Sequence, residues 1–110
     1  MTLPSLDASR MAIIKSVLRP YAHRIDKVGV FGSHTTGTAR PNSDIDLVLY
    51  GRLSEADIDR IWTLFNESAL PVGVDVIGYD PSLYPPLRAH IDRTARLLLT
   101  SDDLAEPKAA

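Results

Sequence analysis

The segment Asp44–Tyr50 places two aspartates, one residue apart, at the start of a run that is otherwise apolar. Because side chains alternate across a β-strand, Asp44 and Asp46 share one face with Val48, and the apolar residues between them share the other. A register shift of one residue would bury both carboxylates, which is costly for unpaired charges. The segment therefore predicts a strand and also the face on which its aspartates lie.

Two more strands are predicted from short β-branched runs, Lys27–Phe31 and Val72–Ile77. The first run is followed directly by Gly32, which marks a turn. In the second run Asp75 alternates with valines and therefore faces away from them. Since burial of an unpaired carboxylate is costly, Asp75 must reach solvent, a cation or a metal ion.

Apolar residues recurring at helical spacing predict three helices, at about Asp7–Tyr21, Glu55–Ser68 and Pro85–Asp92. The second has the strongest local signal, because Ser54 and Asp57 fit a capping box at its start. Its aromatic residues, Trp62 and Phe65, are predicted to face the core.

Length and composition limit the remaining possibilities. With 110 residues, of which 45% are apolar, a single folded domain over residues 1–100 is expected, with a last strand at Arg96–Leu99 and a flexible tail at 101–110. The formal net charge of -2 argues against broad electrostatic capture of nucleic acid. The absence of cysteine excludes disulfides and thiolate zinc sites. No apolar run is long enough to cross a bilayer and the N-terminus does not resemble a signal peptide, so we expect a cytoplasmic protein that does not contact membranes.

The aspartates suggest a metal site. Asp44 and Asp46 can converge on a common point, and carboxylate oxygens are ligands that Mg²⁺ prefers. Asp75, on a neighbouring strand, could complete a two-metal arrangement with ions roughly 3.5–4 Å apart. In such a site Asp75 would also be placed to take a proton from an attacking hydroxyl.

The Gly32-Ser33 turn supplies the other half of the predicted site. Glycine lets backbone approach a ligand closely, and the serine hydroxyl and turn N–H groups can donate hydrogen bonds to phosphate oxygens. Each part is common alone. Together, a Gly-Ser turn after one strand, two aspartates at the start of the next and a lone aspartate in a third predict a nucleotidyl-transfer site.

These motifs resemble the nucleotidyltransferase superfamily that includes DNA polymerase β, and more closely its minimal nucleotidyltransferase (MNT) group. The resemblance covers about Val28–Ile77 and rests on three pieces: the apolar strand ending in Gly32-Ser33, then Ser43-Asp44-Ile45-Asp46-Leu47, then Val74-Asp75-Val76. It implies an α/β fold, with some α+β character, in which a small mixed β-sheet is flanked by helices.

The resemblance also implies a role for each motif residue. Gly32 and Ser33 would bind the phosphates of a nucleoside triphosphate, usually ATP. Asp44, Asp46 and Asp75 would bind two Mg²⁺ ions and carry out catalysis. Many MNT proteins of this length are antitoxins that pair with a HEPN ribonuclease toxin and can transfer AMP to one of its tyrosine hydroxyls, so a hetero-oligomer with such a toxin is the implied assembly.

One position departs from the family pattern. Relatives often have Ala-Arg-Gly after the Gly-Ser turn, whereas this chain has Thr35-Thr36-Gly37, so Thr36 stands where a basic residue is usual. Arg40 could replace that charge, or could be an ordinary exposed loop residue. Two alternatives to protein adenylylation remain: an antitoxin that acts mainly by binding its toxin, and a transferase acting on a small molecule. The second is disfavoured because such enzymes usually carry a further substrate-binding domain.

Overall fold

A computed structural model describes residues 8–32 and 44–105 of the chain. Within these residues the helices are α1 (Ala8–Leu18), a 3₁₀ segment (Arg19–Arg24), α2 (Glu55–Asn66), α3 (Pro85–Thr94) and α4 (Ser101–Ala105). The strands are β1 (Ile25–Phe31), β2 (Ile45–Gly51), β3 (Val74–Gly78) and β4 (Arg96–Thr100). The predicted fold class, an α/β fold with a small mixed sheet and flanking helices, is confirmed.

The four strands form one sheet in the order β3-β2-β1-β4. The pair β2–β3 is parallel, whereas β1 pairs antiparallel with both β2 and β4. A parallel pair needs a crossover connection, and α2 provides it between β2 and β3. This topology brings the starts of β2 and β3 to the same end of the sheet as the end of β1.

Both faces of the sheet carry apolar clusters. The larger cluster contains the alternating set Ile45, Leu47 and Leu49, together with buried residues from α1, α2 and α4. On the other face, α3 buries Ile91 against Phe31 and Val48. The predicted alternation of β2 is therefore confirmed, and the face that carries Asp46 is apolar beyond its acidic end.

Apart from shifts of one to three residues at the ends of elements, the structure differs from the sequence prediction at two places. The predicted loose tail is wrong for residues 101–105, which form α4 and bury Leu104 completely; residues 106–110 lie outside the described part of the chain. The prediction of a core-facing Trp62 is also wrong, because this side chain is 48% exposed while Phe65 is buried. At 100° per residue, Trp62 lies at the margin of the stripe formed by Ile61 and Phe65.

The start of α2 has the predicted capping box. The Ser54 hydroxyl accepts from the Asp57 N–H at 3.1 Å, and the Asp57 carboxylate accepts from the Ser54 N–H at 3.0 Å. Arg24 donates to the same carboxylate at 2.7 Å. The Ser54 N–H, followed by Arg24, lowers the pKa of Asp57 below its ordinary value of 3.8.

This geometry predicts an acid-dependent stability that Asp57→Asn removes. Because folding lowers the pKa of Asp57, its contribution is present above the ordinary pKa and disappears as the pH falls through the lowered value. We expect wild type to unfold at a higher temperature than the variant at pH 7, and the gap to close below about pH 4. Thermal unfolding between pH 7 and pH 3 measures this, with Asp59→Asn on the same helix as the control. A gap that does not change with pH would contradict it.

Candidate active site

Asp46 and Asp75 are direct register partners in the parallel pair β2–β3. Neighbouring strands lie about 4.8 Å apart, so residues in register on one face are adjacent. Asp44 immediately precedes β2, where the Ile45 N–H donates to the carbonyl of Gly73 at 2.9 Å and holds the two strand starts together. By alternation, all three aspartates are placed on the same face of the sheet.

The three carboxylates lie at the open end of this face. Asp44 and Asp75 are exposed, and Asp46 is partly buried beside the apolar cluster under α3. An ionised group with access to solvent avoids most of the desolvation cost of a buried charge. These positions therefore satisfy the prediction that Asp75 reaches solvent, a cation or a metal.

Gly32 lies against Asp46 at the end of β1. Phe31 is the register partner of Asp46, and the next residue, Gly32, has φ of +78°. A Cβ placed on Gly32 would stand 2.7 Å from Oδ2 of Asp46. The positive φ favours glycine at this position, and the Asp46 carboxylate occupies the space in which a Cβ would stand.

The carboxylates of Asp44 and Asp46 lean in different directions. Oδ1 of Asp44 lies 3.1 Å from the position a Cβ would take on Gly73, on the β3 side, whereas Asp46 lies against Gly32 on the β1 side. Among residues 8–32 and 44–105, no three acidic, histidine or cysteine side chains are gathered closely enough to hold a metal ion. Like charges repel, so carboxylates without a cation have no reason to converge.

The donor set nevertheless suits a hard divalent cation. Asp46 and Asp75 are in register on adjacent strands, and Asp44 immediately precedes β2. Their carboxylates offer only oxygen ligands, which Mg²⁺ prefers. Rotation of the side chains, without a change of strand register, would be needed to bring them to a common ion. Their assignment as metal ligands stays a prediction.

Ser33, predicted to bind phosphate with Gly32, lies outside the described residues, as do Thr36 and Arg40. Of the predicted turn, the structure therefore describes Gly32 alone.

Sequence reasoning missed one residue that contacts this site. The Gly32 N–H donates to Oγ1 of Thr94, at the end of α3, at 3.4 Å. Thr94 Oγ1 in turn donates to the carbonyl of His90 at 2.8 Å. No sequence signal identifies this contact, because Gly32 and Thr94 are distant in sequence and meet only when α3 packs on the sheet.

A cleft of about 450 Å³ lies at the opposite ends of β2 and β3, near Gly51 and Gly78. Its charged lining residues are Glu55, Asp59 and Asp80, with no lysine, arginine or histidine among its described lining. Neither the three aspartates nor the Gly32 turn borders it. We place the candidate site at the aspartates, because there, within residues 8–32 and 44–105, carboxylates on adjacent strands lie beside a glycine turn.

Comparisons with known proteins found a family model and several solved structures that match this chain. A family model described as "Polymerase beta, Nucleotidyltransferase" matches residues 13–104. No curated protein matches the chain. In the part of the chain that the structure describes, no helix is long and apolar enough to cross a membrane.

Solved structures share the fold. A toxin–antitoxin crystal structure with AMP-PNP is 23% identical, with a TM-score of 0.63, covering 78% of this chain and 69% of that chain. Two variants of the toxin–antitoxin MntA–HpeT are each 21% identical, with TM-scores of 0.61 and 0.64. They cover 76% and 86% of this chain, and 68% and 73% of theirs. At these identities the likeness shows a common fold.

Proposed function

This chain belongs to the polymerase beta nucleotidyltransferase family, and on that premise we propose that it is a metal-dependent protein adenylyltransferase. In this proposal it acts as an antitoxin and transfers AMP from ATP to a tyrosine hydroxyl of a cognate HEPN ribonuclease toxin. The observation that carries the proposal is the register of Asp46 with Asp75, on one face and beside the Gly32 turn.

The three aspartates have separate roles in this mechanism. Asp44, Asp46 and Asp75 would hold two Mg²⁺ ions. When bound, these ions would supply the charge that favours ionisation of the hydroxyl and departure of pyrophosphate. Asp75 is the candidate general base, since an exposed carboxylate can accept the hydroxyl proton.

The proposed reaction is a nucleophilic substitution at phosphorus. The tyrosine oxygen forms a bond to the α-phosphorus of ATP while the bond from that phosphorus to the oxygen bridging the β-phosphate breaks. Pyrophosphate leaves with the electron pair, and the proton of the hydroxyl passes to Asp75. Because Gly32 has no side chain, the turn would approach the triphosphate with its backbone.

The nature of the structural neighbours supports the choice of nucleotide and partner. One neighbour is a toxin–antitoxin solved with AMP-PNP, an ATP analogue, and two more are variants of the toxin–antitoxin MntA–HpeT. ATP as donor and a toxin as acceptor are therefore the first substrates to test. A cytoplasmic location would fit a reaction that consumes ATP.

The test uses ATP labelled at either the α- or the γ-phosphate, with Mg²⁺ and the product of the adjacent gene. Adenylylation predicts label on the partner from α-labelled ATP and none from γ-labelled ATP, and chelation of the metal should abolish it. Gel filtration checks that the two proteins form a complex. A confirmed complex without label would contradict the proposal.

A second candidate function is neutralisation by binding alone. One observation favours it: Thr36 stands where relatives often have a basic residue. Replacement of Asp44, Asp46 and Asp75 together by asparagine separates the two functions. Adenylylation requires the triple variant to lose neutralisation of the toxin in cells, whereas occlusion predicts that neutralisation continues.

A further inference from the structure

We infer that Thr94 is a positioning residue for the Gly32 turn, and that it sets how tightly this site binds a nucleoside triphosphate. The inference rests on the proposed function. It starts from the chain of hydrogen bonds that runs from Gly32 N–H to Thr94 Oγ1 at 3.4 Å and from Thr94 Oγ1 to the His90 carbonyl at 2.8 Å.

The chemistry of the threonine hydroxyl determines which group donates and which accepts in these two hydrogen bonds. A threonine hydroxyl has one proton and two acceptor lone pairs. The proton is committed to the carbonyl of His90, four residues earlier on α3, so a lone pair on Oγ1 can accept the backbone N–H of Gly32. A β-branched side chain has few χ1 options, and this internal bond selects one of them. Thr94 therefore presents a fixed acceptor to the turn.

The same end of α3 is anchored by packing. The ring of His90 meets Phe31 edge-on, with centroids 5.9 Å apart, and Ile91 is fully buried in the cluster with Phe31 and Val48. Since Phe31 immediately precedes Gly32, α3 packs against the end of β1 directly before the turn. The Thr94 bond extends that attachment to the turn itself.

Gly32 is consequently held from two directions. Thr94 accepts its N–H, and the carboxylate of Asp46 occupies the space where a side chain would stand. Loss of the Thr94 acceptor would weaken the attachment of the Gly32 turn to α3, and so the position of the turn relative to Asp46. The turn is the proposed phosphate contact and Asp46 is the proposed metal ligand. If their relative position is less well fixed, the affinity of the site for a nucleotide should fall.

The experiment compares Thr94→Val, which keeps the shape and removes the hydroxyl, with Thr94→Ser, which restores it. Calorimetry gives the Kd for AMP-PNP with Mg²⁺, and steady-state labelling gives KM for ATP and kcat. We expect Thr94→Val to raise Kd and KM roughly 3- to 10-fold, the worth of one hydrogen bond, with a smaller change in kcat. Thr94→Ser should bind close to wild type.

Thr63→Val is the matched control. The Thr63 hydroxyl also donates to a carbonyl four residues earlier, that of Asp59, at 3.0 Å, but it lies on α2. A general loss of helix stability would affect both valine variants. Only a positioning role predicts that Thr94→Val changes Kd and KM while Thr63→Val leaves them unchanged.

The Kd values of these variants test the role of Thr94. Equal Kd values for wild type and Thr94→Val would overturn the inference, and so would failure of Thr94→Ser to restore binding. If Thr94→Val does not fold, Thr94→Ala is compared with Thr94→Ser by the same two measurements. Wild type that binds AMP-PNP but labels no partner counts against the proposed function, and the Kd comparison still tests Thr94.

Discussion

Asp46→Asn is expected to reduce nucleotidyl transfer by roughly a hundredfold or more, because it removes one charged oxygen ligand that would stabilise the transition state through metal ions. Asp46 is the central aspartate, in register with Asp75 on one side and against Gly32 on the other. Asparagine has nearly the same shape, so the strand should fold as before. The measurement is the initial rate of α-labelled AMP incorporation at saturating ATP and Mg²⁺.

Asp26→Asn is the control for this variant. Asp26 is exposed on β1, near the end of that strand opposite Gly32, and carries the same charge. Its replacement tests whether a change in overall charge alone alters the rate. The assignment of Asp46 would be wrong if both variants retained transfer rates similar to wild type.

Gly32→Ala is expected to lower both stability and transfer. An L-residue at φ of +78° is strained by about 1–2 kcal/mol, and its Cβ would also stand 2.7 Å from Oδ2 of Asp46. For a domain of this size the backbone strain alone lowers Tm by roughly 4–15 °C. Transfer should fall by at least about tenfold at temperatures where the variant is folded, since a small misplacement of catalytic groups has large effects on rate.

Gly78→Ala provides the comparison, because Gly78 lies at the other end of the sheet, on β3. Its φ is not positive, and an added Cβ would meet Ile58 at an ordinary contact distance of 3.4 Å. Thermal unfolding and transfer assays of both alanine variants separate the local effect at Gly32 from the general effect of removing a glycine. If Gly32→Ala and Gly78→Ala had the same Tm and the same transfer rate, the close approach of the turn to Asp46 would have no role in stability or transfer.

Local sequence accounts for much of the fold. Alternation along Asp44–Tyr50 correctly separated the buried face from the acidic one, because a period of two leaves a strand no other way to bury its apolar residues. The Ser54–Asp57 capping box correctly located the start of α2, since its hydrogen bonds join residues three apart. Thr100 and Asp103 form a similar local pair at the start of α4, where the Thr100 N–H donates to the Asp103 carboxylate.

Other features depend on contacts between distant segments. The burial of Leu104 and the exposure of Trp62 follow from how the helices pack, since composition alone suggested a loose end and a core aromatic. The sequence predicted that Asp75 lies on a strand. Its pairing with Asp46 could not be predicted, because that pairing depends on the order of strands in the sheet. Which elements become neighbours is a property of the whole packed chain, and local periodicity does not contain it.

The sequence by itself therefore determined the chemistry available: three aspartates on strand faces and a glycine at a strand end, all set by alternation and by side-chain type. Only the tertiary structure decided that Asp46 lies beside Asp75, that Gly32 takes a positive φ against the Asp46 carboxylate, and that Thr94 accepts the Gly32 N–H. The physical reason is the range of each interaction. Alternation and capping act within a few residues, whereas register, close approach and the Thr94 bond arise when β1, β2, β3 and α3 pack together.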